Sequence, residues 1–288
     1  MKLGDTASPP ASGSGGSWGA ASGGSGVYLA CEQLREMLAE KVGLYPDNIQ
    51  LDNGQIKKTG EHALTAMEAA KKSGQSFADS TIDKLSQTTG LSLSGQSASQ
   101  KYDFDNTESY ALADVVADYD EQKITAKGQI KPGKNGKSHR QASFGANFAE
   151  VAVHKVTGEI RVKRMTGAFA AGRILNHKTA TSQCYGGMVF GIGSALMEQV
   201  IHDKRDGRLC NHDLAEYHVP VNADVPQLDV ILVEEDDPYT NPMHIKGIGE
   251  TAISGAAAAI ANAIYNAVGV RVYDFPITLD KLLYEMPE

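Results

Sequence analysis

Residues 241–283 read NPMHIKGIGETAISGAAAAIANAIYNAVGVRVYDFPITLDKLL. The glycine-containing turn KGIGETAISG, Lys246 to Gly255, opens an alanine-rich run that carries helical character to Val268, and Pro276 then precedes a short terminal helix, Leu279 to Glu285. This is the most apolar long window of the chain, yet Ser254, Asn262 and Asn266 would be costly against lipid, so it is read as a helix packed within a protein rather than a membrane span. Glu250 stands where the turn meets the helix. A carboxylate there is either presented to a ligand on a rigid element or simply complements the positive end of the helix dipole as a first-turn residue.

Working outward, two further glycine-rich stretches adjoin predicted helices. SGSGGSWGAASGGSG, Ser12 to Gly26, looks by composition like a flexible linker, but it runs directly into Val27–Val42, where Leu34, Met37, Leu38 and Val42 recur at helical spacing. SQCYGGMVFGIGSALMEQV, within Ala180–Val200, is a glycine-containing helix candidate. Glycine at a helix start leaves backbone N–H groups free and favours an anion by roughly 0.3–1 kcal/mol. Each stretch alone is equally a set of tight turns and close helix contacts; together they suit one large phosphate-bearing ligand. Gly191-Ile192-Gly193 and Gly247-Ile248-Gly249 both lack the third glycine of a dinucleotide fingerprint, and there is no P-loop.

The rest reads as a mixture of element types without regular βαβ alternation, which predicts an α+β fold. A second helix is expected at Glu61–Lys72, followed by a polar insertion at about 73–107. Extended segments are expected at Gln122–Ile130, Ser143–His154 and Glu159–Ala170, the last two joined by a turn at Val156-Thr157-Gly158; a hairpin around Lys204–Gly207 and a strand at Leu228–Val233 follow. Three segments are drawn: 1–26 glycine-rich, 27–122 helical with the insertion, and 123–288 mixed.

With 27 basic and 35 acidic residues the net charge is -8, which argues against nucleic acid as a partner. The three cysteines, Cys31, Cys184 and Cys210, show no metal-site spacing, and the eight histidines form no ligand set such as HExxH, so no side chain is assigned to a metal. No GxSxG elbow supports a hydrolase. The N-terminus lacks the apolar core of a secretory signal, and a cytoplasmic location is expected.

The run Asn241–Leu283 closely resembles the C-terminus of molybdenum-binding subunits in the xanthine dehydrogenase/aldehyde oxidase family. GRILNHKTATSQCYGGMVFGIGSALMEQ, Gly172–Gln199, and GSGGSWGAASGGSGVYLACEQLR, Gly13–Arg35, resemble two more of that family's motifs, in the same order. The nearest pattern is that of bacterial aldehyde oxidoreductases whose iron-sulfur clusters, FAD and molybdenum cofactor sit on separate chains. The resemblance implies a molybdenum-pyranopterin (molybdopterin) cofactor in a cytosine dinucleotide form, cradled by the backbone of Gly19, Ala20, Ala21, Ser22 and Gly23 and contacted by Gln183, with Gly249 beside the metal. It implies Glu250 as the general base in hydroxylation of an aldehyde or N-heterocycle, a step that suits a carboxylate whose pKa is raised by burial. Family members often carry Asp and Pro where this chain has Ala170 and His177.

Since family members are well over twice as long, the implied partners are an iron-sulfur subunit, a FAD subunit and the missing N-terminal half of the molybdenum subunit, and export on a partner's signal is open to such a complex. Two other readings stand beside this one: an inactive truncated remnant acting at most as a binding protein, and a stand-alone nucleotide-binding module resting on the glycines alone.

Overall fold

In a computed structural model of the chain the described residues are 5–8, 10, 13–59, 102–104, 107–131 and 133–286. The helix expected at Glu61–Lys72 and the polar insertion lie outside the described residues, apart from 102–104 and 107. The chain divides into two compact units, Gly26–Gln129 and the combination of Met1–Ser25 with Ile130–Glu288.

In the unit Gly26–Gln129, helix α1 (Ser25–Lys41) turns Leu38 inward, as its spacing predicts, and Ala39 with it, while Leu34 and Met37 are half-buried. Leu38 and Ala39 pack with Val42, Leu44, Ile49, Ile56, Phe104 and Val115 into one small core. The sequence reading of this region as helical needs correction. It contains a three-stranded antiparallel sheet of β1 (Ile49–Asp52), β2 (Gln55–Lys58) and β3 (Ser109–Ala111), with a short helix α2 (Leu112–Ala117) after it. The cause is local: Asn53 and Gly54 both adopt positive φ, +46° and +74°, the two-residue turn that matches strand twist and pairs Asp52 with Gln55. The expected extended segment from Gln122 joins no strand through Gln129. It lies along α1 instead, where Gln33 Oε1 accepts the Lys127 N–H at 3.0 Å and Gly128 sits against the Gly26 carbonyl.

The other unit is a three-stranded sheet carrying two helices on one face. Strands β4 (Phe144–Val153) and β5 (Ile160–Ala170) form the antiparallel hairpin read from the sequence, with Gly158 at φ +70° in its turn and a bulge between Glu150 and Val151. Helix α3 (His177–Leu196) and a long connection return the chain to β6 (Gln227–Val233), parallel to β5. Helix α4 (Ile253–Val268) and the short α5 (Leu279–Leu283) complete the unit. Met165 and Phe169 from the sheet, Cys184, Met188 and Ile192 from α3, and Ala256, Ile260 and Ile264 from α4 form its core. Burial pushes the Cys184 thiol up to about 11, so it is a packing residue and not a nucleophile.

Among the described residues, none covers the opposite face of the sheet. At one end of it stand Phe144, Phe148, Ile231 and Val233, all exposed.

Where the sequence departs from the family habit, the helix start is kept. Asn176 caps α3 by accepting the Thr179 N–H at 3.1 Å, so His177 begins the helix without the preset φ of a proline. The described helices include none long and apolar enough to cross a membrane.

Candidate active site

Two of the three glycine motifs meet directly. Gly16 and Ser17 turn at φ +58° and +64°, and the Gly16 carbonyl accepts the Gly249 N–H at 2.9 Å. A Cβ on Gly249 would lie 2.5 Å from Ser17 Oγ and 2.8 Å from the Gly16 carbonyl carbon, so only glycine allows the two backbones this close. The first motif is therefore no free linker; its glycines let it lie on the Gly247–Glu250 turn. Ser17 Oγ in turn donates to Gln183 Oε1 across 3.4 Å, bringing an exposed side chain of α3 to the same place.

Glu250 is exposed and precedes α4 rather than belonging to its first turn, which holds no acidic residue. The simple helix-dipole role is thus not the one its geometry serves. Its carboxylate lies over Gly16, with Oε2 3.5 Å from where a Cβ on that glycine would be. The cleft it faces has a volume of about 480 Å³ and is lined by Gly16, Ser143, Phe144, Asn147, Glu250 and Ser254, among others.

Two expectations for the glycines need correction. Residues Ala20–Gly24 form a turn of π-helix capped by Gly19, not an open loop. The Gly19 N–H is taken by Ser14 Oγ at 3.0 Å and the Ser22 N–H by the Trp18 carbonyl at 3.1 Å, so neither is free for a ligand. In the second motif Gly186, Gly187, Gly191 and Gly193 lie inside α3, where their amides belong to the helix. A Cβ on Gly191 would collide with the Ala256 side chain; this glycine serves the close crossing of α3 and α4.

Several residues that hold the site were not singled out from the sequence. Ser143 Oγ donates to the Gly247 carbonyl at 2.5 Å, and Asn147 Nδ2 to the Ala252 carbonyl at 3.2 Å, so the start of β4 clips both sides of the Glu250 turn. Lys246, whose side chain is only 6% exposed, pairs with Glu235 and Asp237. The one hint in the sequence was the acidic run Glu234–Asp237 directly after a strand, opposite a lysine that opens a glycine turn. Among the described residues no group of three His, Cys, Asp or Glu could hold a metal ion.

Comparison with known proteins adds the family context. The family model described as molybdopterin cofactor-binding domain matches residues 1–226. The chain is 42% identical over 288 residues to the aldehyde oxidoreductase molybdenum-binding subunit PaoC of Escherichia coli K12, a match covering 100% of this chain and 32% of that protein. It is 36% identical over 162 residues to the xanthine dehydrogenase molybdenum-binding subunit of Escherichia coli O157:H7, covering 56% of this chain and 21% of that one. Among solved structures, quinoline 2-oxidoreductase from Pseudomonas putida 86 superposes with a TM-score of 0.61 at 22% identity over 93% of this chain and 30% of its own, a likeness of fold. The chain thus spans about a third of the length of the relatives it matches over its whole extent.

Proposed function

This chain belongs to the molybdopterin cofactor-binding domain family, and on that premise we propose that it forms part of the molybdenum-binding subunit of a hydroxylase acting on aldehydes or N-heterocycles, with Glu250 as general base. The observation that carries the assignment is the exposed Glu250 carboxylate facing the cleft from a turn that is hydrogen-bonded to the first glycine motif.

The residues around the cleft fit a large polar cofactor. Backbone approaches that only glycine permits, exposed Gln183 and the hydroxyls of Ser17 and Ser254 present donors and acceptors without bulk. Gln183 and the Gly249 region would contact the cofactor on this side, and the end of Gly19, Ala20, Ala21, Ser22 and Gly23 would approach it as a helical turn. When bound, a molybdenum-pyranopterin supplies the two-electron acceptor for substrate oxidation.

The chain's own contribution is to hold a base in place. Glu250 accepts the proton released as a water-derived oxygen is added to the substrate carbon, and its turn keeps the carboxylate at one position through the Gly249–Gly16 bond and the Ser143 clip. Glu250 is exposed in this chain, so its carboxylate is open to substrate from the cleft. We further assign a cytosine dinucleotide form to the cofactor, the iron-sulfur and FAD centres to separate subunits that accept the electrons, and assembly to the cytoplasm. The division into segments 1–26, 27–122 and 123–288 is kept as a division of motifs, distinct from the two compact units.

The test is Glu250→Gln in the complex purified from its own host. Turnover should fall by about 10²–10⁴ with molybdenum content unchanged. Unchanged turnover would remove Glu250 from the chemistry, and a wild-type complex without molybdenum would favour the inactive remnant.

A further inference from the structure

Strand β6 ends at Val233, and the next residues bring Glu235 and Asp237 to the same end of the sheet at which β5 finishes and β4 begins. Lys246 enters this corner from the other direction. Its Nζ lies 2.7 Å from Glu235 Oε1, 2.8 Å from Asp237 Oδ2 and 3.3 Å from the Ala142 carbonyl, three acceptors for three ammonium protons. Burial works against the charge, but the hydrogen bonds to Asp237 and Glu235 outweigh it and hold the Lys246 pKa above the usual lysine value. The carboxylates are themselves committed: Glu235 Oε2 accepts the Gly172 N–H at 2.8 Å and Asp237 Oδ1 the Tyr239 N–H at 3.0 Å.

The backbone repeats the same join. Lys246 N–H donates to the Ala171 carbonyl at 3.1 Å and Arg173 N–H to the His244 carbonyl at 2.8 Å, around a bridge between Gly172 and Ile245. Lys246 is thus the last residue whose backbone N–H is bonded at the β5 end before the chain passes into the turn of Gly247, Gly249 and Glu250. A largely buried ion cluster is a poor device for stability alone, because well-packed apolar side chains of like volume serve as well or better. What such a cluster does well is to specify one geometry, since any other leaves a charge without a partner.

We propose that the Lys246–Glu235–Asp237 cluster is a positioning device for the Glu250 turn, and that through the Gly249–Gly16 bond it also sets the first glycine motif. The catalytic meaning of that placement rests on Glu250 being the base; the mechanical claim does not.

The experiment compares hydrogen exchange in the purified full chain as wild type, as Lys246→Met and as the neutralised set Lys246→Met/Glu235→Gln/Asp237→Asn. The last variant leaves no charge unpaired, and it decides the matter if Lys246→Met fails to fold. The peptide covering 246–252 and the Gly16–Trp18 segment should exchange at least about tenfold faster, while α4 and β5 stay within about twofold of wild type. An unchanged turn in the neutralised set, or an equal rise throughout the unit, would overturn the proposal.

Steady-state kinetics of the assembled complex separate the two readings. Positioning predicts a kcat at least about tenfold lower with KM within about twofold. If Glu250→Gln abolishes turnover while a loosened turn leaves kcat untouched, the positioning role is overturned. If Glu250→Gln is itself without effect, the base assignment fails and the anchor stands on the exchange result.

Discussion

Gly249 and Gly191 belong to the same kind of sequence, a Gly-x-Gly beside an apolar helix, and the protein uses them in opposite ways. Gly249 lies in a turn outside any helix, where the missing side chain lets the Gly16 backbone approach and its carbonyl accept the Gly249 N–H. Gly191 lies in the middle of α3, its amide spent within the helix, where the missing side chain admits Ala256 of α4. One glycine brings two pieces of a site together and the other brings two helices together. Local sequence does not separate these cases, because both rest on close approach and only the partner differs.

Substitution should tell them apart by where the loss is felt. In Gly249→Ala the new Cβ meets Ser17 Oγ and the Gly16 backbone, which can yield only by moving the first motif away. The expected result is a fall of at least about tenfold in molybdenum retained per folded chain, equivalent to about 1.4 kcal/mol of binding, with thermal unfolding displaced by only a few degrees. Metal analysis beside a melting curve measures both. Retained molybdenum would mean that the contact between the motifs is dispensable.

Gly191→Ala reverses the pattern. Alanine is the better helix former, but here its methyl group meets the Ala256 side chain within the core, and overpacking of this kind costs about 1–3 kcal/mol. Denaturant titration should show that loss, while chains that do fold keep their molybdenum. A neutral or stabilising substitution would show that the two helices have room to separate and that the glycine is not needed for their crossing.

How far the molecule could be read in advance follows the same division between local and distant causes. The strands β4, β5 and β6 and the helices α1, α3 and α4 were legible because alternation, helical spacing and turn residues are written within each element. The hairpin at Asn53-Gly54 is equally local, but its signal is weak because its strands are only four residues long and their third partner, β3, lies some fifty residues later. Within the site, Gly249 and Glu250 stand out from the glycine turn before an apolar helix and Gln183 through the family resemblance, but Ser17, Ser143 and Asn147 do not. Their meaning depends on partners more than one hundred positions away, as with the 104 residues between Ser143 and Gly247. Lys246 was hidden for the same reason: nothing in a single lysine before a glycine turn announces two carboxylates brought by the end of another strand.

The cap of α3 offers a smaller effect that bears on Gln183 alone. Asn176→Ala removes the acceptor of the Thr179 N–H and should cost about 1 kcal/mol, read by denaturant titration. Since the helix is anchored by Cys184, Met188 and Ile192 well beyond its first turn, Gln183 should keep its place and molybdenum content should not change. A loss of molybdenum would mean that the first turn of α3 itself holds the ligand.

The finest test uses a third glycine of the same helix. Gly186 is exposed in α3, and a Cβ there would meet nothing within 4 Å. With neither a turn nor a neighbour to require it, the residue costs the helix what glycine ordinarily costs, so Gly186→Ala should stabilise the chain by roughly 0.5–1 kcal/mol. Yet Gly186 stands three residues after Gln183, and so on much the same side of α3. If that side carries cofactor or the remainder of the subunit, the same methyl group would obstruct it. A more stable chain that holds less molybdenum would then place Gly186 with Gly249, as a glycine kept for an approach that this chain does not complete by itself. A more stable chain with full molybdenum would place it with neither, as a residue that the helix could exchange without loss.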